Sequence, residues 1–347
     1  MNKNKCNILY LGSSKDGSAP ADRRRFLGFS SRSNNLNIHY DEEKGIKYDV
    51  LVCSLGGDLV KALRLANTIP KLVLDYTNHY LVEKSWVKNR FRNLISGLFG
   101  NKELSFKAYK NIILEVMCRA DLVVCPSITQ QKYLKYIGIA STRLTDFFGQ
   151  EIDLREVNYD GDGSLFWEGQ ACNLVTLKVV SPVLKNRPDL LLRIVSDESF
   201  GMLGGKLFKK SSSRYCSKIL PNYEFSCWNA ENLNANAKKS SLGIIPLDLT
   251  DQFVAAKPEN KLVLMWQLGL YTLCSPSESY NMLSKETGID FLCSDEEQWS
   301  SSIECMLSDI KQRKEYSAYL HNFACSQYSD DAIRKKWQNA FEQASIF

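Results

Sequence analysis

The sequence is short of histidine and of long apolar runs, and each shortage excludes a class of protein. Its 347 residues include three histidines, at positions 39, 79 and 321, which argues against a histidine-rich metal site. No apolar run approaches the ~20 residues that a membrane-spanning helix needs. Residues 1–6 lead directly into a strand-like segment, and we therefore expect no signal peptide.

Paired cysteines are also missing. The eleven cysteines are an odd number and form no C-x-x-C pair, so the spacing of a zinc site or of a disulfide framework is not found. Four of them lie in apolar runs, at Cys53, Cys125, Cys274 and Cys293. We expect small buried side chains in a reducing compartment, which predicts a cytoplasmic protein.

The composition that remains is that of an ordinary globular protein, with 44% hydrophobic and 24% charged residues. A chain of 347 residues is longer than one hydrophobic core usually serves, which predicts two domains. The net charge of +5 favours anionic substrates or an anionic membrane surface and does not require nucleic acid as a partner.

Short apolar runs alternate with helical patterns along the first 150 residues. The alternation is typical of a parallel sheet with right-handed crossovers and predicts an α/β domain over residues 1–150. The clearest predicted strands and helices of this domain are 7–12, 48–55, 71–75, 108–119, 121–125 and 129–136.

A polar, acidic segment interrupts this rhythm, and we interpret residues 151–163 as an interdomain linker. The alternation then resumes and predicts a second α/β domain over residues 164–325. In the tail, Ile333, Trp337 and Phe341 form one apolar stripe at helical spacing, which predicts a helix within residues 326–347.

The most informative motif is Lys257-Pro-Glu-Asn-Lys261, followed by an apolar run over residues 262–266. It indicates a helix start, because Pro258 suits the first helical position. The N–H groups and the positive dipole end of such a start attract anions, and two lysines add positive charge. We interpret the motif as a diphosphate site; a basic, solvated helix start is the alternative.

Further motifs surround it, namely Trp167-Glu-Gly-Gln170, Leu192 to Asp197, Gly269-Leu270 with Ser275, and Ser279-Tyr280. With the strand–helix rhythm, they resemble the nucleotide-sugar glycosyltransferases of the GT-B fold, and within them the retaining group called family 4. The resemblance implies an α/β protein with two Rossmann-like domains facing each other across a cleft. It also implies C-terminal helices that cross back to the first domain.

The resemblance implies that the first domain binds the acceptor and that the second domain binds the donor. The donor is a nucleotide-diphosphate sugar, which serves as co-substrate. The implied donor-binding residues are Gly12, Ser13, Glu168, Gln170, Asp197, Lys257, Asn260, Lys261, Ser279 and Tyr280. Many family members also carry two glutamates eight residues apart, where this chain has Ala256 and Leu264. The retaining or inverting outcome therefore stays open.

Sugar transfer requires stabilisation of the departing diphosphate, for which fixed cations suffice without a metal. Lys257 and Lys261 are the predicted cations, with Lys261 in the catalytic role, and Asn260 orients a lysine or binds a phosphate oxygen. The loop that begins at Gly12 and Ser13 follows the first strand, where ligands bind in open α/β sheets.

Two groups in the first domain are candidates for the acceptor side. Arg23, Arg24 and Arg25 could grip an acceptor phosphate or carboxylate with forked hydrogen bonds, or form a solvated basic face. Asp75 or His79 could serve as the base of an inverting enzyme, or act as cap and turn residues. Asp146, after another candidate strand, is a weaker alternative.

Two other segments invite a function. Asp160-Gly161-Asp162 resembles a metal-binding D-x-D, but no apolar strand precedes it, and we predict an Asp-Gly turn. Basic and aromatic residues between Lys84 and Lys102 suit an anionic membrane surface, which would help with a lipid-linked acceptor. A helix packed on the domain with a basic outer face is the alternative.

The sequence thus predicts a glycosyltransferase that moves a sugar from a nucleotide-diphosphate sugar to a saccharide or lipid-linked saccharide. By family analogy the setting is bacterial surface polysaccharide synthesis, in the cytoplasm or at the inner face of the cell membrane. Two alternatives stay open: a nucleotide-sugar epimerase on the same fold, and a non-catalytic binding module of GT-B type.

Overall fold

The computed structural model describes residues 5–33, 35–82, 102–103, 105–148, 157–202 and 207–346. The chain forms two compact units. The first comprises Met1–Phe147, Ala256–Pro258 and Asp330–Phe347, and the second comprises Phe148–Ala255 and Glu259–Ser329.

The first unit is built on a six-stranded parallel sheet in the order β2-β1-β3-β4-β5-β6. Its strands are β1 (Cys6–Leu11), β2 (Leu36–His39), β3 (Val50–Ser54), β4 (Lys71–Asp75), β5 (Leu122–Cys125) and β6 (Thr142–Arg143). Its helices before the last segment are α1 (Pro20–Arg23), α2 (Phe26–Ser30), α3 (Leu59–Leu65), α4 (Tyr109–Arg119) and α5 (Ile128–Tyr136), with a 3₁₀ turn at Tyr80–Val82.

The central strands are mostly apolar because helices cover both faces of a parallel sheet. Every residue of β3 and β5 is buried. The helices begin at polar caps: the Asp58 side chain accepts from the Lys61 N–H at the start of α3. Ser127 and Gln130 form a reciprocal capping box at the start of α5.

The last helix of the chain, α14 (Asp330–Gln343), belongs to the first unit. Its stripe of Ile333, Trp337 and Phe341 is fully buried. The Trp337 ring stacks on Phe29 with a centroid separation of 5.9 Å. Phe341 stacks on Phe26, also at 5.9 Å.

The second unit contains a five-stranded parallel sheet in the order β11-β8-β7-β12-β13 and an antiparallel pair, β9 and β10. The strands are β7 (Leu165–Glu168), β8 (Leu192–Ser196), β9 (Ser199–Met202), β10 (Leu207–Ser211), β11 (Tyr223–Cys227), β12 (Leu242–Ile245) and β13 (Thr272–Cys274). The helices are a 3₁₀ helix (Ala171–Val179), α6 (Ser181–Lys185), α7 (Ser212–Ile219), α8 (Ala230–Lys239), α9 (Gln252–Ala255), α10 (Asn260–Gln267), α11 (Glu278–Thr287), α12 (Glu296–Ser308) and α13 (Ile310–Gln327).

Each sheet reverses its strand order once. In the first unit β1 lies between β2 and β3, and in the second unit β7 lies between β8 and β12. The chain therefore builds outwards from β1 in both directions, and likewise from β7. Crevices form at such reversals, outside the carboxyl ends of the strands, and they are the usual ligand sites of open α/β sheets.

Near β13, Cys274 and Leu292 form an isolated bridge. The segment after Gln170 is a 3₁₀ helix. The predicted helix start at residues 257–261 differs from the structure in its first residue. Helix α10 begins at Asn260 with Glu259 as its cap, so Pro258 precedes the helix instead of opening it.

The expected linker lies partly outside the described residues, which exclude 151–156. Residues 157–163 belong to the second unit. Asn158 donates to the Lys238 carbonyl at 3.0 Å, and the Asp160 carbonyl accepts from Arg313 at 2.8 Å. This part of the segment is thus fixed to a folded unit.

All eleven cysteines are free thiols. Cys53, Cys125, Cys274 and Cys293 are buried, as their apolar surroundings in the sequence predict. They pack as small hydrophobic side chains.

We expect Trp337→Ala to lower the free energy of unfolding by about 3–5 kcal/mol, because the truncation leaves a large cavity against Phe29. Urea denaturation followed by circular dichroism measures the change. The exposed neighbour Asn339 provides the control, since Asn339→Ala should shift the value by less than about 0.5 kcal/mol. Equal effects of the two substitutions would contradict the packing of α14.

Candidate functional site

The carboxyl ends of β7 and β12 meet at the strand-order reversal of the second sheet. Glu168 is the last residue of β7, Gly169 and Gln170 follow it, and the segment that leads into α10 follows β12. Most of the predicted donor-binding residues lie at the end of β7 or in the segments that follow β7, β8, β12 and β13, including the first turns of α10 and α11. The fold therefore brings them to one edge of one sheet.

Lys261 is the central cation of this edge. From the first turn of α10 its Nζ reaches the end of β7, where it donates a hydrogen bond to the Glu168 carbonyl. The same Nζ lies 4.5 Å from the ring centroid of Trp167, within the range of a cation–π interaction. The ammonium is thereby held at the reversal point between β7 and β12.

Gly169 makes room for this ammonium. Its φ of +153° is one that L side chains rarely adopt, and a Cβ there would lie 2.5 Å from Lys261 Nζ. The Gly169 N–H donates to the Val195 carbonyl at 3.1 Å, and its own carbonyl accepts from Ser196 Oγ at 2.6 Å. The turn is thus tied to β8, and its bare Cα lies against the lysine.

Gln170 and Asp197 flank this turn. Asp197 accepts the Ala171 N–H at 2.9 Å, so one of its carboxylate oxygens caps the 3₁₀ helix. Asp197 and Gln170 are both exposed. The predicted donor role of Asp197 therefore coexists with a capping role that sequence reasoning missed.

The four remaining predicted residues of this region differ in their exposure. Ser279 and Tyr280 are buried in the first turn of α11, whereas Asn260 and Lys257 are partly exposed. Burial and the nearby Cys274, Glu259 and Glu168 raise the pKa of Tyr280 well above its ordinary value, so it stays neutral.

Lys257 clusters with the first unit, as part of Ala256–Pro258, while Lys261 belongs to the second. Of the two predicted cations, Lys261 is therefore the one in the same unit as the carboxyl ends of β7 and β12. Glu259, between them, is fully buried at the cap of α10. Nothing in the sequence marked it, because an isolated glutamate in a charged segment is typical of solvated surface.

The loop after β1 in the first unit closes on a buried carboxylate. Asp22 accepts hydrogen bonds from the backbone N–H groups of Ser13 and Ser14 at 2.9 Å each and from the Tyr10 hydroxyl at 2.7 Å. A Cβ at Gly12 would lie 2.7 Å from the Tyr10 ring. These N–H groups, in the loop predicted to bind the donor, are directed at the protein's own anion.

Arg25 and Asp75 are paired with each other. Arg25 Nε donates to the Asp75 carboxylate at 2.7 and 2.8 Å, and Nη1 donates to Asp146 at 2.9 Å. Arg25 and Asp75 are each 2% exposed. Burial alone would lower the pKa of Arg25, but the two carboxylates raise it above its ordinary value.

This pairing changes two predicted roles. A guanidinium that is engaged with Asp75 and Asp146 is not offered to an acceptor, and Asp75 shares its oxygens with that guanidinium instead of presenting them to a hydroxyl. Arg23 and Arg24 are partly exposed, at the junction of the short helices α1 and α2. They are the members of the arginine run that the structure leaves at the surface.

His79 is buried and neutral. Its Nδ1 lies 3.0 Å from the Tyr76 hydroxyl, and its ring contacts Tyr133 edge to face at 4.8 Å. Burial and the positive charge of Lys110 lower the pKa of His79 to about 4. A histidine of 4% exposure among tyrosines resembles a structural group more than an accessible base.

Asp160 and Asp162 form turns fixed by cations. Arg193 lies 2.7 Å from Asp162, and Lys314 pairs with Asp160. Burial alone would raise the pKa of Asp162, but hydrogen bonds from Arg193 and Ser164 lower it to about 2. Among the described residues, no group of three or more acidic, histidine or cysteine side chains is placed to hold a metal ion.

The predicted membrane-facing segment, Lys84 to Lys102, lies outside the described residues except for its last lysine. Lys102 donates to the carbonyls of Gly56 and Gly57, beyond β3. Of the helices that the structure describes, none combines the length and the hydropathy required to cross a bilayer.

The fold is that of the GT-B glycosyltransferases. No protein-family model matches the sequence, and no curated protein is significantly similar to it. Anabaena Alr3699/HepE, solved in complex with UDP, is similar over 98% of this chain and 100% of its own, with a TM-score of 0.63 and 9% identity. TarM is similar over 84% of this chain with a TM-score of 0.56 and 10% identity, and the chain spans 54% of its length.

A second TarM structure is that of an S. aureus mutant in complex with fondaparinux, alpha-GlcNAc-glycerol and UDP. It has a TM-score of 0.50 and 11% identity over 84% of this chain and 55% of its own. The parallel sheets and these neighbours together show two Rossmann-like domains of the GT-B class. At such identities the likeness establishes the fold alone.

The lowered pKa of His79 predicts a pH-dependent stability. The unfolded chain protonates this histidine near pH 6.5, and the folded chain only near pH 4. Its contribution is therefore complete above pH 6.5 and is lost as the pH falls towards 4. Urea denaturation at pH 7 and at pH 4.5 gives the free energy of unfolding at each pH. Between the two pH values, we expect this free energy to fall on the order of 2 kcal/mol further in the wild type than in His79→Gln. Equal losses would contradict a buried neutral imidazole.

Gly169→Ala is expected to lower the free energy of unfolding by about 1–3 kcal/mol, because the new methyl group adds backbone strain and displaces the Lys261 ammonium. Gly163→Ala is the matched control, since Gly163 has a φ of +88° and open space where the Cβ would lie. In thermal denaturation, we expect Gly169→Ala to lower the stability of the protein more than Gly163→Ala. A smaller loss there would show that the lysine does not occupy this position.

Proposed function

We propose that this protein is a glycosyltransferase that moves a sugar from a nucleotide-diphosphate sugar to a saccharide or a lipid-linked saccharide. The observation that carries the proposal is the Lys261 ammonium, held at the strand-order reversal of the second sheet in a chain of GT-B fold. HepE, solved with UDP and with UDP-glucose, supports a nucleotide-sugar donor by analogy.

The chemistry asks for positive charge where the diphosphate departs. A fixed cation that requires no reorganisation stabilises that charge most effectively. Lys261 provides the cation, and the amino end of α10, which begins at Asn260, adds the positive end of a helix dipole. We assign the leaving-group role to Lys261, with Asn260, Gln170 and Asp197 as donor contacts.

The acceptor side of the proposal belongs to the first unit. Arg23 and Arg24 are the residues that we assign to an acceptor phosphate or carboxylate. The S. aureus TarM mutant solved with fondaparinux supports a saccharide acceptor by analogy. We place the reaction in bacterial surface polysaccharide synthesis, in the cytoplasm or at the inner face of the cell membrane, where the net charge of +5 would favour anionic lipid.

The first experiment is a thermal-shift screen of UDP, GDP and their sugars. A ligand at 100 times its Kd stabilises the native state by about 2.7 kcal/mol, which predicts a rise of about 5 °C or more in Tm. We expect at least one nucleotide diphosphate to give this rise, and Lys261→Ala to weaken its binding about 10- to 100-fold in calorimetry.

Lys285→Ala is the matched control, since Lys285 is an exposed lysine of α11 in the same unit. It should leave binding unchanged. No shift with any nucleotide diphosphate would overturn the proposal. Analysis of the products formed from the bound sugar nucleotide, with and without a saccharide acceptor, distinguishes sugar transfer from epimerisation. If neither reaction occurs, the protein is a non-catalytic binding module.

A further inference from the structure

The indole ring of Trp167 faces the lysine on which the proposed donor site depends. Lys261 Nζ lies 4.5 Å from the ring centroid while it donates to the carbonyl of Glu168. Trp167 is the third residue of β7, and the carbonyl belongs to the fourth. One short strand therefore supplies both of these contacts.

A lysine held in this way loses much of its ordinary freedom. Its four-carbon stem carries about 2 kcal/mol of rotamer entropy, and an exposed ammonium samples many positions. The ring attracts the positive charge through its quadrupole, and the carbonyl accepts a directional hydrogen bond from the ammonium. Gly169 leaves room for the ammonium, because a Cβ there would lie 2.5 Å from Lys261 Nζ.

Trp167 itself is fixed by packing. Its side chain is fully buried, and its Nε1 has no hydrogen-bond acceptor among the residues that the structure describes. A buried tryptophan usually gives its N–H a partner. The ring here makes no such bond, and its face is the part that contacts a functional group.

We propose that Trp167 is a positioning residue, which sets the Lys261 ammonium at the crevice between β7 and β12 for the diphosphate of the donor. This inference rests on the proposed function, since it assigns Trp167 a part in the same site. It predicts that Trp167 strengthens diphosphate binding only when Lys261 is present.

A double-mutant cycle with UDP, or with the nucleotide diphosphate that the screen selects, tests that dependence. We expect Trp167→Leu to raise Kd about 3- to 30-fold and Trp167→Phe, which keeps an aromatic face, to raise it less. In a Lys261→Met background, Trp167→Leu should add less than about twofold. Independent, multiplicative effects would overturn the positioning role, because they would show that Trp167 acts without the lysine.

Trp299→Phe controls for the loss of a buried indole, because Trp299 is 1% exposed and its Nε1 also lacks an acceptor within the described part of the chain. It should change Kd by less than about twofold. Melting temperatures of all variants exclude unfolding, and the Phe variant keeps the test valid if the Leu variant does not fold.

A second measurement needs no nucleotide. In the free protein, the ring current of Trp167 should move the Lys261 side-chain Hε resonances upfield, and Trp167→Leu should return them to ordinary values. Unshifted Hε resonances in the wild type would overturn the positioning role even if UDP binds. If the wild type shows the shift but binds no nucleotide diphosphate, the proposed function fails and the lysine–indole geometry stands.

Discussion

The contact between Lys261, the Glu168 carbonyl and the Trp167 ring is the interaction on which the candidate site depends. It joins the start of α10 to the end of β7, two elements separated by 93 residues of sequence. Without it, the edge of the second sheet would hold scattered polar side chains, with Asp197 engaged as a cap and Ser279 and Tyr280 buried. With it, a cation occupies the point where the strand order reverses.

Both units have a strand-order reversal in their sheet, but the loops at the two reversals are occupied differently. At the reversal of the first sheet, the loop after β1 is closed by the carboxylate of Asp22, which occupies the N–H groups of Ser13 and Ser14. At the reversal of the second sheet, the corresponding turn presents Gly169 to a lysine. An anion already fills one loop and a cation flanks the other, which is why we propose the diphosphate site in the second unit.

Much of the fold could be predicted because strands buried on both faces are rich in apolar residues, as in Val50–Ser54 and Leu192–Ser196. The short strand Thr142–Arg143 carries no such apolar run, and the sequence indicates it only as a candidate strand before Asp146. The helix-start motif singles out Lys261 as a candidate, but it does not indicate Trp167 as the partner of this lysine, because the contact is created by the tertiary fold. Arg25 and Asp75 are separate candidates in the sequence, one for binding the acceptor and one for proton transfer, and only the fold pairs them in its interior.

The most direct test is a crystal structure of the protein with UDP bound. The account predicts that the diphosphate oxygens lie within about 4 Å of Lys261 Nζ, in the range of an ion pair, at the carboxyl ends of β7 and β12. Electron density for the diphosphate at any other position, with the ammonium of Lys261 still on the Glu168 carbonyl and remote from the phosphates, would contradict it.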